Sequence, residues 1–103
     1  MATKIRLYPL PIATSVEIKL PEDAIILKVS ESSTRGDPLN LWAIVDTDNP
    51  VESCTFFVLT TDEEVPEPVR RGYAVYLDTV TYSSHGTSNA ALVYHVFQEI
   101  DFN

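Results

Sequence analysis

The sequence predicts a single all-β domain, an antiparallel β-sandwich or partly closed barrel of about six or seven strands. Short segments alternate between polar and apolar residues, and turn-forming residues separate them at the spacing of a small sandwich. The chain has 103 residues, of which 45% are hydrophobic. This is enough for one modest core and argues against intrinsic disorder, so we expect residues 1–103 to form one domain.

The first three predicted strands are short and amphipathic. They cover residues 4–8, 15–20 and 24–30. Apolar residues recur there at about every second position, which is typical of a strand with one buried face. We expect the Pro9-Leu10-Pro11 sequence to end the first strand, because proline cannot donate a hydrogen bond to a sheet. In the third strand, the apolar residues expected on one side are Ile25, Leu27 and Val29.

The later predicted strands are more apolar and contain the expected core. Residues 39–46 and 90–99 are apolar on both faces, which favours central strands, and residues 52–60 and 73–82 complete the set. The large side chains expected in the core are Trp42, Ile44, Phe57, Val75, Val93 and Phe97. On this assignment, the substitution Trp42→Ala would lower stability by about 3–5 kcal/mol.

The chain is strongly acidic, with 15 Asp and Glu against 7 Lys and Arg and a formal net charge of −8. This charge argues against direct binding of nucleic acid, which needs clustered basic side chains, and against anionic membrane surfaces. It favours a partner with a basic surface. The densest acidic stretch is also typical of a solvated loop, but we predict that it is a protein-binding surface. Its acids are Asp62, Glu63, Glu64 and Glu67.

No catalytic or metal-binding constellation is visible, so we predict a protein that is not an enzyme and needs no metal or cofactor. The single cysteine, Cys54, excludes an internal disulfide and fits a buried strand position. His85 lies in a polar loop and is expected to be solvated, whereas His95 lies in an apolar strand and is expected to be a hydrogen-bonded core or interface residue. Residues 46–49 fit a turn closed by Asp and Asn side chains better than a calcium loop.

Several fragments resemble a family of small β-rich proteins encoded by bacteriophages and prophages. They are Tyr8-Pro9-Leu10, Leu20-Pro21-Glu22 with Ala24 and Ile26-Leu27, Leu41-Trp42-Ala43 with Val45-Asp46, and Ala91-Leu92-Val93-Tyr94-His95-Val96-Phe97. The resemblance implies a phage origin, but no settled activity and no catalytic residues. The chain has no apolar stretch of about 18 residues that could cross a bilayer, and its first residues lack the apolar segment of a signal peptide. We therefore expect it in the host cytoplasm.

These features predict a non-enzymatic phage accessory protein that binds a host protein and inhibits or redirects it. A nucleic-acid enzyme or a defence effector would supply the basic surface. Two alternatives stay open: an oligomer that sequesters a small ligand such as a nucleotide, and a minor virion or assembly component. The ligand contacts would be Arg70, Arg71, Tyr73 and His85, although a local salt bridge between these arginines and Glu64 or Glu67 is favoured. A strand edge near the C-terminus also allows a homodimer.

Overall fold

Seven strands form two antiparallel sheets in the computed structural model of the chain, which describes residues 2–31, 39–82 and 92–100. The all-β prediction is therefore confirmed. The strands are β1 (Thr3–Leu10), β2 (Val16–Pro21), β3 (Ile25–Glu31), β4 (Leu39–Asp46), β5 (Val51–Thr60), β6 (Ala74–Tyr82) and β7 (Leu92–Glu99). One helical turn, α1 (Glu67–Arg70), precedes β6.

The strand order makes the domain a sandwich rather than a barrel. One sheet has three strands in the order β1-β4-β3, and the other has four in the order β2-β5-β7-β6. Neither sheet closes on itself. Apolar side chains from both sheets meet in one core, which consists of Leu10, Leu20, Val29, Leu39, Leu41, Phe56, Val58, Val80, Tyr94 and Val96.

The predicted core was wrong at several positions. Trp42 is 37% exposed and Val75 is 44% exposed, whereas Phe57 is buried outside the main core. The other three residues, Ile44, Val93 and Phe97, are half-buried. In β4 the prediction placed the wrong face inside, because this strand is apolar on both faces and alternation does not show which face is buried. Because Trp42 lies outside the core, the large loss of stability predicted for Trp42→Ala is no longer expected.

A β-bulge explains why β3 also departs from the expected pattern. The register with β4 shifts between Ile26 and Lys28. An extra residue in a strand reverses the side that later residues face. Val29 is therefore buried in the core, while Ile25 and Leu27 are exposed on the outside of the sheet. The expectation that these three residues share one side was wrong.

The first strand continues through Pro9, which was expected to end it, and stops at Leu10, directly before Pro11. Pro9 and Leu10 pair with Asn40 and Leu39 of β4. Proline is tolerated here because β1 is an edge strand, so the missing N–H can face away from the ladder. The continuation brings Leu10 into the core, where it is fully buried.

The two ends of β5 provide a matched test of this core. Val58 is 2% exposed and lies between the sheets, whereas Val51 is 61% exposed. We expect Val58→Ala to lower the free energy of unfolding by about 2 kcal/mol, because it removes buried methyl groups and leaves a cavity. Val51→Ala should change it by less than about 0.5 kcal/mol. Equal losses in urea titrations would contradict the placement of β5.

Candidate functional site

The predicted acidic surface begins at the turn after β5, and Glu63 closes that turn. Asp62 has a φ of 74°, a left-handed conformation that Asp tolerates better than most residues. The Glu63 carboxylate accepts hydrogen bonds from the Thr60 N–H at 2.9 Å and from the Thr60 hydroxyl at 3.1 Å. Its other oxygen accepts one from the Thr14 hydroxyl at 2.8 Å. Glu63 therefore ties this turn to the β1–β2 connection.

Glu67 is also engaged within its own segment. It begins α1, whose first turn accommodates Pro68, and its carboxylate lies 2.8 Å from Nε of Arg71. This salt bridge confirms the local pairing favoured from the sequence. The other two acids, Asp62 and Glu64, are exposed. Of the four predicted contact residues, Glu63 and Glu67 thus bond within the region, and all but Glu63 are exposed.

The residues proposed as ligand contacts are not gathered around one cavity within the described chain. Arg71 pairs with Glu67, and Arg70 lines a shallow groove together with three glutamates. Carboxylates so close to the arginines would repel an anionic ligand. Tyr73 is exposed just before β6, and His85 lies outside the described residues.

His95 lies at the centre of a hydrogen-bonded row on the outer side of the four-stranded sheet. Its Nε2 is 3.0 Å from the Thr61 hydroxyl, and its Nδ1 is 3.2 Å from the Thr79 hydroxyl, which in turn lies 2.6 Å from the Tyr76 hydroxyl. The expected hydrogen bonding of His95 is confirmed, but the residue lies outside the main core. The partners come from two segments distant from β7, the turn after β5 and strand β6, so no local sequence signal could identify them. Because both ring nitrogens are engaged, the geometry favours a structural role.

Other reactive or metal-binding arrangements are lacking in the described ranges. There, no group of three His, Cys, Asp or Glu side chains could hold a metal ion. No helix in these ranges is long and apolar enough to span a bilayer. Partial burial in β5, with a smaller contribution from Glu52, raises the pKa of the Cys54 thiol above its usual range. A raised pKa disfavours the nucleophilic thiolate.

The three-stranded sheet presents a surface that the sequence reasoning missed. Five large apolar side chains are exposed on its outer side: Ile5 (63%), Leu7 (47%), Ile25 (58%), Leu27 (49%) and Trp42 (37%). We call this set the outer apolar face. The register brings them together, because Ile5 and Ile25 both lie opposite Ile44, and Leu7 lies opposite Trp42. In the sequence, this surface corresponds to the apolar residues on both faces of β4, a pattern that also predicts burial of both faces.

Polar residues border the outer apolar face at both ends. Thr3 lies opposite Asp46 at one end, and Ser30 lies opposite Asn40 at the other. The indole Nε1 of Trp42 donates a hydrogen bond to the Ser30 hydroxyl at 3.0 Å. A shallow groove beside the indole is lined by Ile5, Leu27, Lys28, Ser30 and Trp42. An apolar centre with a polar rim is the usual anatomy of a protein interface.

The chain buries part of the corresponding surface of its other sheet. Phe57 and Leu59 point away from the main core, yet they are only 5% and 3% exposed. The segment after β5 folds back beside Leu59, so that Val65 lines the same depression as Leu59 and Phe97. On the outside of the four-stranded sheet, Phe57 and Leu59 are thus buried, whereas Val51 and Tyr76 are 61% and 57% exposed.

Comparison with known proteins identifies the family of this sandwich. The family model described as "Domain of unknown function (DUF7352)" matches residues 1–103. The chain belongs to the DUF7352 family. A search of curated proteins and a search of solved structures found no match. The match spans every strand of this DUF7352 domain, including those that form the outer apolar face and the acidic segment.

The hydrogen bonds to Glu63 predict a pH-dependent stability. The Thr60 N–H and then the Thr14 hydroxyl hold the pKa of Glu63 below its usual range. A carboxyl with a lowered folded pKa stabilises the fold above its unfolded pKa, and this contribution is lost as the pH falls through the folded pKa. The loss should therefore begin near the ordinary glutamate pKa of about 4.3 and continue below it.

Urea titrations over this pH range check the prediction with Glu63→Gln. The variant should be less stable than the parent at pH 7, and the difference should shrink as the pH falls below about 4. Glu64→Gln, at the exposed neighbouring position of this DUF7352 domain, is the control and should keep the pH profile of the parent. A constant difference between Glu63→Gln and the parent would contradict the assigned role.

Proposed function

We propose that this domain is a non-enzymatic protein-binding module whose contact surface is the outer apolar face. One observation carries the proposal: five large apolar side chains lie exposed together on one side of one sheet. Single exposed apolar residues are common on soluble proteins, whereas a contiguous group with a polar rim marks an interaction surface. On the outer side of the four-stranded sheet, by contrast, Phe57 and Leu59 are buried, and the exposed Val51 and Tyr76 lie on separate strands that are not paired with each other.

The size and composition of the outer apolar face suit protein binding. A large side chain presents on the order of 200 Å² when free. Five such chains, each about half exposed, leave roughly 500 Å² of apolar surface, which is comparable to patches that are often functional. Trp42 lies on the central strand of the sheet. Buried tryptophans near the centre of an interface commonly contribute most of the binding energy.

The finer proposal is that the protein is a phage accessory protein that inhibits or redirects a host protein in the host cytoplasm. Its support is the sequence resemblance described above, together with the acidity of the chain. With a net charge of −8, exposed carboxylates such as Asp62 and Glu64 would attract a partner with a basic surface. Such attraction increases the association rate, while apolar contacts retain the partner.

Capture from a host lysate with matched variants tests the proposed function. The double variant Leu7→Thr with Trp42→Thr removes apolar surface from the outer apolar face. Threonine is used because it is β-branched and therefore suits a strand. The control, Val51→Thr with Val65→Thr, changes two exposed apolar residues elsewhere. We expect the parent and the control to capture the same protein, and the double variant to lose at least nine-tenths of it.

A third variant separates the two surfaces. If Asp62→Asn with Glu64→Gln abolishes capture while the double variant does not, the acidic segment is the contact surface and the proposal fails. Urea titrations of all variants show whether a lost interaction reflects unfolding. If capture weakens with the acidic variant only at low salt, the charges contribute steering rather than the main contact.

A further inference from the structure

We infer that the outer apolar face binds a second copy of this chain, so that two three-stranded sheets pack face to face in a two-fold dimer. This inference rests on the proposed function, because it names the protein that occupies the same surface. Sheets commonly pack in this way at about 10 Å, with interdigitating apolar side chains. Four observations favour a second copy: the charge of the sheet, its symmetry, the hydrogen bond of the Trp42 indole and the protection of edge strand β1.

Charge favours this sheet over the rest of the surface. Strands β1, β3 and β4 together carry three basic residues against two acidic ones, and their outer side carries one of each, Lys28 and Asp46. The four strands of the other sheet carry one basic residue against four acidic ones. Two copies of a chain with a net charge of −8 repel each other, and the repulsion is smallest where carboxylates are few. The outer apolar face is therefore the least unfavourable surface for self-association.

The sheet has the symmetry that an interface between identical surfaces needs. The central strand, β4, contributes Trp42 and Ile44 to the outer side, and apolar residues of β1 and β3 lie on both sides of it. A two-fold axis through β4 would place the apolar residues of one copy on those of the other and would leave the polar ends as a rim, with Lys28 beside Trp42 as the charged residue within the face. In such a dimer the same patch is used by both subunits.

The indole of Trp42 can be buried without losing its hydrogen bond. Its indole N–H already donates to Ser30, so a partner can cover the ring without leaving an unsatisfied donor. A stable interface buries about 800 Å² on each partner. The roughly 500 Å² of apolar surface, together with the polar rim, approaches this value.

The neighbouring edge is protected against the other common mode of self-association. Lys4 and Arg6 lie opposite Val45 and Ala43 of β4, so they occupy the core-facing positions of edge strand β1. Inward-pointing charges and a proline at an edge oppose the addition of another strand, and β1 contains both. The chain thus blocks pairing at this edge but leaves the face open.

Sedimentation equilibrium of the purified full chain tests the dimer. We expect a concentration-dependent mass that approaches twice 11.5 kDa for the parent and for Val51→Thr with Val65→Thr. Leu7→Thr with Trp42→Thr should weaken the dimer at least 30-fold. Added salt should leave the dimer intact or strengthen it, because salt screens the repulsion between acidic copies. A parent that stays monomeric up to several hundred micromolar would overturn the inference.

A cross-link gives a second measurement that does not depend on destabilising variants. In a Cys54→Ser background, Ile44→Cys places a thiol on β4 near the expected axis, and Val51→Cys is the control. Mild oxidation should join the Ile44→Cys copies and leave most Val51→Cys copies unlinked. Equal cross-linking, or a dimer that persists unchanged in Leu7→Thr with Trp42→Thr, would place the interface elsewhere and overturn the inference.

The result for the dimer can be separated from that for the proposed function. If the parent is monomeric, but the double variant still loses capture of another protein, the second copy is wrong and the protein-binding face stands. If the parent is monomeric and capture does not depend on the outer apolar face, both proposals fail. A dimer that depends on this face supports the protein-binding role of the face with a second copy as its occupant, and a host protein would then have to displace that copy.

Discussion

The structure depends on which side of β4 faces the core. Leu39, Leu41, Ala43 and Val45 pack inward as the centre of the three-stranded sheet. Because successive side chains of a strand point to opposite sides, this choice places Trp42 and Ile44 on the outside. The bulge in β3 then adds Ile25 and Leu27 to the same side. The orientation of this one central strand thus determines both the core and the outer apolar face.

The outer sides of the two sheets differ in how many of their apolar residues are buried, and this difference relates the fold to its proposed role. The segment after β5 returns beside the four-stranded sheet, where the Glu63 hydrogen bonds fix its turn and the Glu67–Arg71 salt bridge lies within α1. Phe57 and Leu59 on that side of the sheet are buried within the chain. The three-stranded sheet has no such cover in the described ranges, so its apolar residues are available to another protein.

The acidic residues serve more than one purpose. Within the predicted acidic surface, Glu63 and Glu67 stabilise the local turn and helix, while Asp62 and Glu64 are exposed. The strands of the three-stranded sheet carry few carboxylates. This distribution is consistent with apolar contact on one side of the molecule and charge on the other, where solubility and long-range attraction benefit from it.

The sequence by itself determined the fold class, the number of strands and nearly all their boundaries, because alternation and turn residues are local signals. It also indicated the hydrogen bonding of His95 and a local salt bridge of Arg70 or Arg71 with Glu64 or Glu67, which the structure shows as Arg71 with Glu67. Only the tertiary structure decided that Trp42 faces outward, that β3 is bulged, and that Thr61 and Thr79 flank His95. These features depend on long-range register, and a strand that is apolar on both faces does not record which face the other sheet covers.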